Sequence, residues 1–293
     1  MKKILFCLGL FIFVASVGTQ AQSIIDAEDD HNFNDFYQKT LHNEKQAMPY
    51  AHLRESDVVW EHCIWRTIDF REKFNQFFYF PTDPTRNTQG RVSLTNAVMK
   101  AFENGDIEAF RDDDMKVPIT FEEMKGSVSR TYTFHIAEYD EYGDEMEGRD
   151  TLITEEFHPE EVYSAKLKEF WYIDKQDTRQ KVRIVSMALI YNSCRDRDGE
   201  RVCDPVALFW IPMNDMRVRN ALVKVYAYDP NNTHAERSYD DIFVQRYFDS
   251  FIYRESNTPN REIASYLTGT DAILESQYIE SKIFDIESDM WEY

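Results

Sequence analysis

Cys194-Arg195-Asp196-Arg197-Asp198-Gly199-Glu200-Arg201-Val202-Cys203 is the stretch from which the fold is read. Asp-Gly is a strong signal for a two-residue hairpin turn. With Asp198 and Gly199 in the turn, Arg197 faces Glu200, Asp196 faces Arg201, Arg195 faces Val202 and Cys194 faces Cys203. Two of these facing pairs are of opposite charge, which favours the register. Counting outward from the turn, the two cysteines fall on a non-hydrogen-bonded pair, where Cα atoms stand about 4.5 Å apart. A disulfide tolerates that separation, so Cys194 and Cys203 are expected to be bridged. The closed loop is short, which gives such a bridge about 2–3 kcal/mol in the chain-entropy model. A calcium-loop reading of Asp196, Asp198 and Glu200 fails: that loop places its glycine sixth, whereas Gly199 follows Asp198 directly.

Strand-like runs flank the hairpin. Lys181–Tyr191 leads into it and Val206–Ile211 leads out, and Ser129–Tyr139 and Lys168–Asp174 precede them. Hairpin-sized connections make an antiparallel meander. The apolar runs are continuous rather than alternating, as in strands covered on both faces, so helices should flank the sheet. One helix is expected to start after Ser56 or Asp57, either of which can cap it. Trp60, Ile64 and Ile68 have the spacing of one helical face, with Cys63 beside them as a buried apolar thiol. Asp69 and Lys73 are then spaced to pair, and Phe77-Phe78-Tyr79-Phe80 should be extended before Pro81. Further helices are read at 92–104, closed by Asn104-Gly105, at 119–125, and at Asn214–Val223. Ser238-Tyr239-Asp240-Asp241 is a capping start, followed by the stripe Ile242, Phe243, Tyr247, Phe251, Ile252. Pro259 and Gly269 divide a helical C-terminal region. The expectation is a single α+β domain over 56–293: an antiparallel meander covered by flanking helices.

The N-terminus reads differently. Met1-Lys2-Lys3 is a short positive region, and Ile4–Val17 is apolar with only Cys7, Gly9 and Ser16 as mild interruptions. Small residues then allow a cut after Ala21. This is the layout of a secretory signal peptide, too short for a membrane span; an uncleaved anchor is the alternative. Residues 22–55 are polar and irregular, with Asp26, Glu28, Asp29 and Asp30 close together, and read as an extended or disordered arm. The 293 residues carry 53 Asp and Glu against 33 Lys and Arg, a formal charge of −20. Such a surface repels nucleic acid and anionic lipid and suits solubility or a basic protein partner.

Chemistry-bearing motifs are scarce. No glycine-rich phosphate loop, Gly-x-Ser-x-Gly elbow or His-Glu-x-x-His helix occurs. His31, His42, His52 and His62 lack metal-ligand spacing, and carboxylate pairs such as Glu122-Glu123 are unavoidable in so acidic a chain. Asn231-Asn232-Thr233 matches an N-glycosylation acceptor, a match frequent by chance. No catalytic residue, cofactor site or metal site is expected.

What stands out is aromatic and charged sequence. Trp65-Arg66-Thr67-Ile68-Asp69-Phe70-Arg71-Glu72-Lys73 leads to Asn75 and Tyr79-Phe80-Pro81. Phe170-Trp171-Tyr172-Ile173-Asp174-Lys175 and Leu208-Phe209-Trp210-Ile211 follow in the meander. Asp240-Asp241-Ile242-Phe243 leads to Arg254-Glu255-Ser256-Asn257 and Arg261-Glu262-Ile263, and the chain ends Asp285-Ile286-Glu287-Ser288-Asp289-Met290-Trp291-Glu292-Tyr293. In this order the stretches resemble the GldN/PorN family of the Bacteroidetes type IX secretion and gliding machinery. The resemblance implies a non-enzymatic periplasmic protein held at the inner face of the outer membrane. It implies assembly in a ring by self-association and with an outer-membrane lipoprotein of the GldK/PorK type. It also implies contact with the periplasmic part of a GldM/PorM-type inner-membrane protein, and no nucleic acid. The motif residues it marks as structural are Trp65, Arg66, Asp69, Arg71, Glu72, Lys73, Trp171, Asp241, Arg254, Glu255 and Asn257. The alternatives from residues alone are a periplasmic or secreted protein binding a small ligand or polysaccharide, suggested by the surplus aromatics, and an extracellular two-carboxylate hydrolase.

Overall fold

The computed structural model describes residues 45–83, 91–139, 145–155, 157–177, 179–197, 200–229 and 237–289. The expected leader (1–21), most of the expected arm (22–44), the Asp198-Gly199 turn, Asn231-Asn232-Thr233 and residues 290–293 lie outside the described residues. In chain order the elements are β1 (Val58–Asp69), α1 (Gln76–Tyr79), α2 (Leu94–Glu103), β2 (Ala109–Phe110), β3 (Pro118–Ile119), α3 (Phe121–Val128), β4 (Arg130–Tyr139) and β5 (Glu145–Glu155). There follow β6 (Val162–Asp174), β7 (Gln180–Arg197), β8 (Glu200–Pro212), α4 (Met216–Val223), α5 (Tyr239–Gln245), β9 (Phe251–Glu255) and α6 (Thr270–Asp289). The fold is mixed α+β, with an antiparallel sheet of order β3-β2-β8-β7-β6-β1-β9.

Strands β6, β7 and β8 are the meander the sequence pattern calls for. Across β7 and β8, Arg197 stands opposite Glu200, Asp196 opposite Arg201 and Cys194 opposite Cys203, the register read from Asp198-Gly199. Helices also stand at the segments read as 92–104, 119–125 and Asn214–Val223, each starting two residues later, and α5 starts at the expected Ser238 cap. Ser93 caps α2 by accepting the Asn96 N–H, and Asn104 ends that helix before Gly105 turns the chain at φ +77°. Thr120 with Glu123 forms a capping box on α3, and Ser238 with Asp241 forms one on α5.

Four expectations are corrected. Val58–Asp69 is a strand, not a helix. Positions four and eight apart share a face at either period, so Trp60, Ile64 and Ile68 line up in both. Ser129–Tyr139, expected in the meander, instead supplies β4 to a separate two-stranded ribbon with β5. The first half of its partner, Glu145-Met146-Glu147-Gly148-Arg149-Asp150, carries no apolar run to betray a strand, and pairing across a short connection closes the smallest loop. Phe77–Tyr79 belongs to the helical turn α1, and Phe80 alone is extended before Pro81; proline restricts only its immediate predecessor. The stripe from Ile242 to Ile252 is two elements, not one helix. Arg246 takes the left-handed conformation at φ 54°; its N–H donates to Phe243 O and that of Tyr247 to Ile242 O, closing α5 before β9 begins.

One face of the sheet carries two apolar clusters. The larger joins Leu167, Met187, Leu189, Phe209 and Ile211 to Leu94, Phe102, Met124, Leu222, Tyr239 and Phe243 from the helices. The smaller sets Ile64, Trp171 and Ile252 against Ile279 and Ile283 of α6. Along β1 the inward positions run Ile64, Arg66, Ile68, and along β6 they run Leu167, Glu169, Trp171. Each strand thus places a buried charge between the two clusters.

Candidate protein-docking site

Those two charges are the centre of a charged network. Glu169 is fully buried and Arg66 nearly so. Arg66 Nε lies 3.3 Å from Glu169 Oε2, and Arg246 Nη1 donates to Oε1 at 2.7 Å. Trp171 Nε1 donates to Oε2 at 3.2 Å. The Arg246 and Arg66 guanidinium carbons lie 5.3 and 5.9 Å from the centroid of the Trp171 ring. Arg66 also reaches α6, where Nη2 donates to Glu280 Oε1 at 2.9 Å. A buried charge is tolerated only when paired in this way. The pairing also fixes the left-handed turn at Arg246, a conformation that costs a non-glycine residue about 1–2 kcal/mol.

Beyond β1 the chain turns through residues 70–75. Asp69 accepts from the Arg71 backbone N–H at 2.9 Å and from Arg71 Nη2 at 2.6 Å. These bonds hold the Asp69 carboxyl below the usual aspartate range. The Asp69–Lys73 pair expected of a helix is therefore absent, because the strand ends and Arg71 takes the carboxylate. Asn75 is fully buried; its Nδ2 donates to Asp69 O, Glu72 Oε2 and Asp249 O, and its Oδ1 accepts the Asp249 N–H at 2.9 Å. Glu72 sits near Asp249 and Asp69, and burial with those neighbours raises its pKa. This brace sets the position of the next residues, Lys73 to Phe80.

They form one wall of a groove of about 570 Å³. Lys73, Phe74, Gln76, Phe77 and Phe80 face Ile242, Tyr247, Ala227, Tyr228, Asp229 and Arg237. Phe74 and Phe80 are 46 % and 49 % exposed. The Phe74 ring centroid lies 4.9 Å from that of Tyr247, and the Arg237 guanidinium sits 4.0 Å over the Tyr247 ring. Grouped exposed aromatics of this kind mark interaction surfaces.

The remaining motif residues work elsewhere. Trp65 points to the opposite sheet face, where Arg254 stacks at 4.1 Å and Lys168 lies 5.5 Å from the ring, while Nε1 donates to Asp113 at 3.2 Å. Glu255 lies 3.4 Å from His62 Nε2 and accepts from Asn257, whose own Oδ1 accepts the Asn260 N–H. Asp241 caps α5 and pairs with Lys45. Next to it Asp240 takes Arg219 in a two-bond fork at 2.8 and 2.9 Å. Tyr50 lies under the guanidiniums of Arg219 and Arg183, and the Ala47 N–H donates to Asn220 Oδ1. So the described part of the expected arm is fastened across α4 and α5. Among the described residues, no three His, Cys, Asp or Glu converge as metal ligands.

A family model described as gliding motility associated protein GldN matches residues 53–292. The chain belongs to the GldN family. No curated protein matches it. The GldN match spans all the motif stretches named above except the terminal Tyr293. Membership makes the chain a component of the gliding-motility and type IX secretion machinery, in a family not known for enzymes. Among the described residues no helix is long and apolar enough to cross a membrane.

The GldN motif thus does not form one site. Arg66 and Trp171 build the buried network, Asp69, Arg71 and Glu72 build the turn, and Lys73 is the charged motif residue that lines the groove, beside Phe80 and Ile242. Trp65, Arg254, Glu255 and Asn257 lie towards β9, and Asp241 lies on α5. Sequence reasoning missed Glu169 and Arg246, the partners that give Arg66 its meaning. Glu169 was visible as a lone carboxylate inside an apolar strand run; Arg246 had no local signal, since its role depends on a contact 77 positions away in sequence.

Proposed function

We propose that this chain is a non-enzymatic structural subunit of the periplasmic ring of the type IX secretion machinery. The observation that carries the reading is the family match over residues 53–292. The use of the motif's charged groups supports it: most are bound to one another within the fold, as in a scaffold, while exposed aromatics gather at the groove. Met1–Ala21 acts as the export signal, and the folded part works in the periplasm, beneath the outer membrane. Its partners are an outer-membrane lipoprotein of the GldK/PorK type, the periplasmic part of a GldM/PorM-type protein, and further copies of itself. Native purification from the envelope tests this. The lipoprotein should co-purify in an assembly far larger than the 34.8 kDa chain; a lone monomer rejects the reading.

A second reading has one observation in its favour. The groove's volume falls within the range of small-molecule pockets, roughly 300–1,000 Å³. A small-ligand or polysaccharide-binding protein would show a raised melting temperature with its ligand and no association with envelope partners.

A further inference from the structure

A ring built from identical chains joins them head to tail, so one patch must meet a different, complementary patch on the next copy. The groove is well suited to be one of the two. Its walls are aromatic, and among its charged lining residues Lys73 and Arg237 outnumber Asp229, in a chain whose net charge is −20. Lys73 is exposed and makes no ion pair among the described residues. The complementary chemistry is an apolar, carboxylate-rich segment. The sequence supplies one: Ile24-Ile25-Asp26-Ala27-Glu28-Asp29-Asp30-His31-Asn32-Phe33-Asn34-Asp35-Phe36-Tyr37 has five carboxylates, three aromatics and no Lys or Arg.

We propose that the groove of one copy takes the Ile24–Tyr37 segment of a neighbouring copy. The inference rests on the ring reading and names the contact by which copies join. Phe33, Phe36 and Tyr37 supply rings for Phe74, Phe77 and Tyr247 to pack against. The carboxylates meet Lys73 and Arg237 in charge-assisted contacts. The chain downstream of the segment is fixed independently, through the Lys45–Asp241 pair and the seat of Tyr50 under Arg219 and Arg183. Each subunit thus offers both halves of the contact, and a pairing of unlike halves propagates.

Two full-chain variants test it. One alters the groove, Lys73→Glu with Arg237→Glu; the other alters the segment, Phe33→Ala with Phe36→Ala and Tyr37→Ala. Sedimentation should show wild type associating beyond the dimer and each variant alone remaining monomeric. An equimolar mixture should form a dimer and stop there, since it holds one intact groove and one intact segment per pair. A fluorescent Ile24–Tyr37 peptide should bind the segment variant and bind the groove variant about tenfold more weakly or less, more so at low salt. Variants that associate like wild type, or a peptide that binds neither, overturn the proposal. A peptide that binds the segment variant while wild type stays monomeric overturns it in favour of the chain's own segment filling its own groove. Melting curves establish that both variants fold; should Arg237→Glu fail, Lys73→Glu with Arg237→Gln replaces it. Retention of the lipoprotein by wild type, scored separately, tells failure of this contact from failure of the ring reading.

Discussion

Glu169 has no exposure and sits among three groups, Arg246, Trp171 and Arg66, two of them cationic. Removing it leaves two arginines facing each other under the sheet, so Glu169→Ala should cost about 3–5 kcal/mol in urea denaturation. Arg71→Ala should cost less than about 1 kcal/mol, because the Asp69–Arg71 pair is at the surface. Asp69 nevertheless contributes to acid stability. Its folded pKa lies below its unfolded value of about 4. The stabilisation is therefore present above that unfolded value and is lost as pH falls through the depressed folded one. Asp69→Asn should flatten the acid limb of a stability-against-pH curve and leave stability near neutrality lower. Cys63 illustrates the opposite direction. Burial pushes its thiol up to about 11, so it is protonated at neutral pH and poorly nucleophilic. Iodoacetamide should leave Cys63 unmodified in the native protein and label it in denaturant; rapid native labelling would contradict the burial.

At the level of elements, the paired registers of β7 and β8 set Cys194 against Cys203, and a disulfide between them is expected in protein taken from the periplasm. Non-reducing peptide mapping should recover the two joined; free thiols at both positions would sink the idea. This hairpin was legible because its turn and its cross-strand charges are local. The capping start at Ser238 was legible for the same reason. Strand β1 was not. Its alternation is erased where Cys63, Ile64, Trp65 and Arg66 are buried in succession, and Glu169, the partner that allows Arg66 to be buried, is distant in sequence. The misreading matters for energetics. Trp60 is only half-buried at the margin of the smaller cluster, whereas Ile64 is fully buried in it. Ile64→Ala should therefore cost about 2–5 kcal/mol, and Trp60→Ala less than a fully buried tryptophan would. Equal thermal melts for the two variants would overturn that ranking. The groove was still less legible, since its two walls come from Lys73–Phe80 and from Ala227, Tyr228, Asp229, Arg237, Ile242 and Tyr247, and only the fold brings them together.

At the scale of the whole molecule, a charge of −20 acts chiefly on encounter. Long-range attraction to a more basic partner raises the association rate and orients the approach, while the lifetime of a complex is set mainly by what is buried at the contact. These two effects separate experimentally. With the GldK/PorK-type lipoprotein immobilised, raising salt from low to physiological levels should slow association, because exposed charges more than about 8–10 Å apart become screened. Dissociation should change less. The groove adds a control within the same measurement. If it joins copies of this chain, Phe74→Ala with Phe80→Ala should leave both lipoprotein rate constants near wild type while weakening self-association, which places the two contacts on different surfaces. A salt-independent association rate would reject the electrostatic part alone, and a rate that rises with salt would mean the partner is acidic as well. Absence of binding at every salt concentration would count against the ring itself.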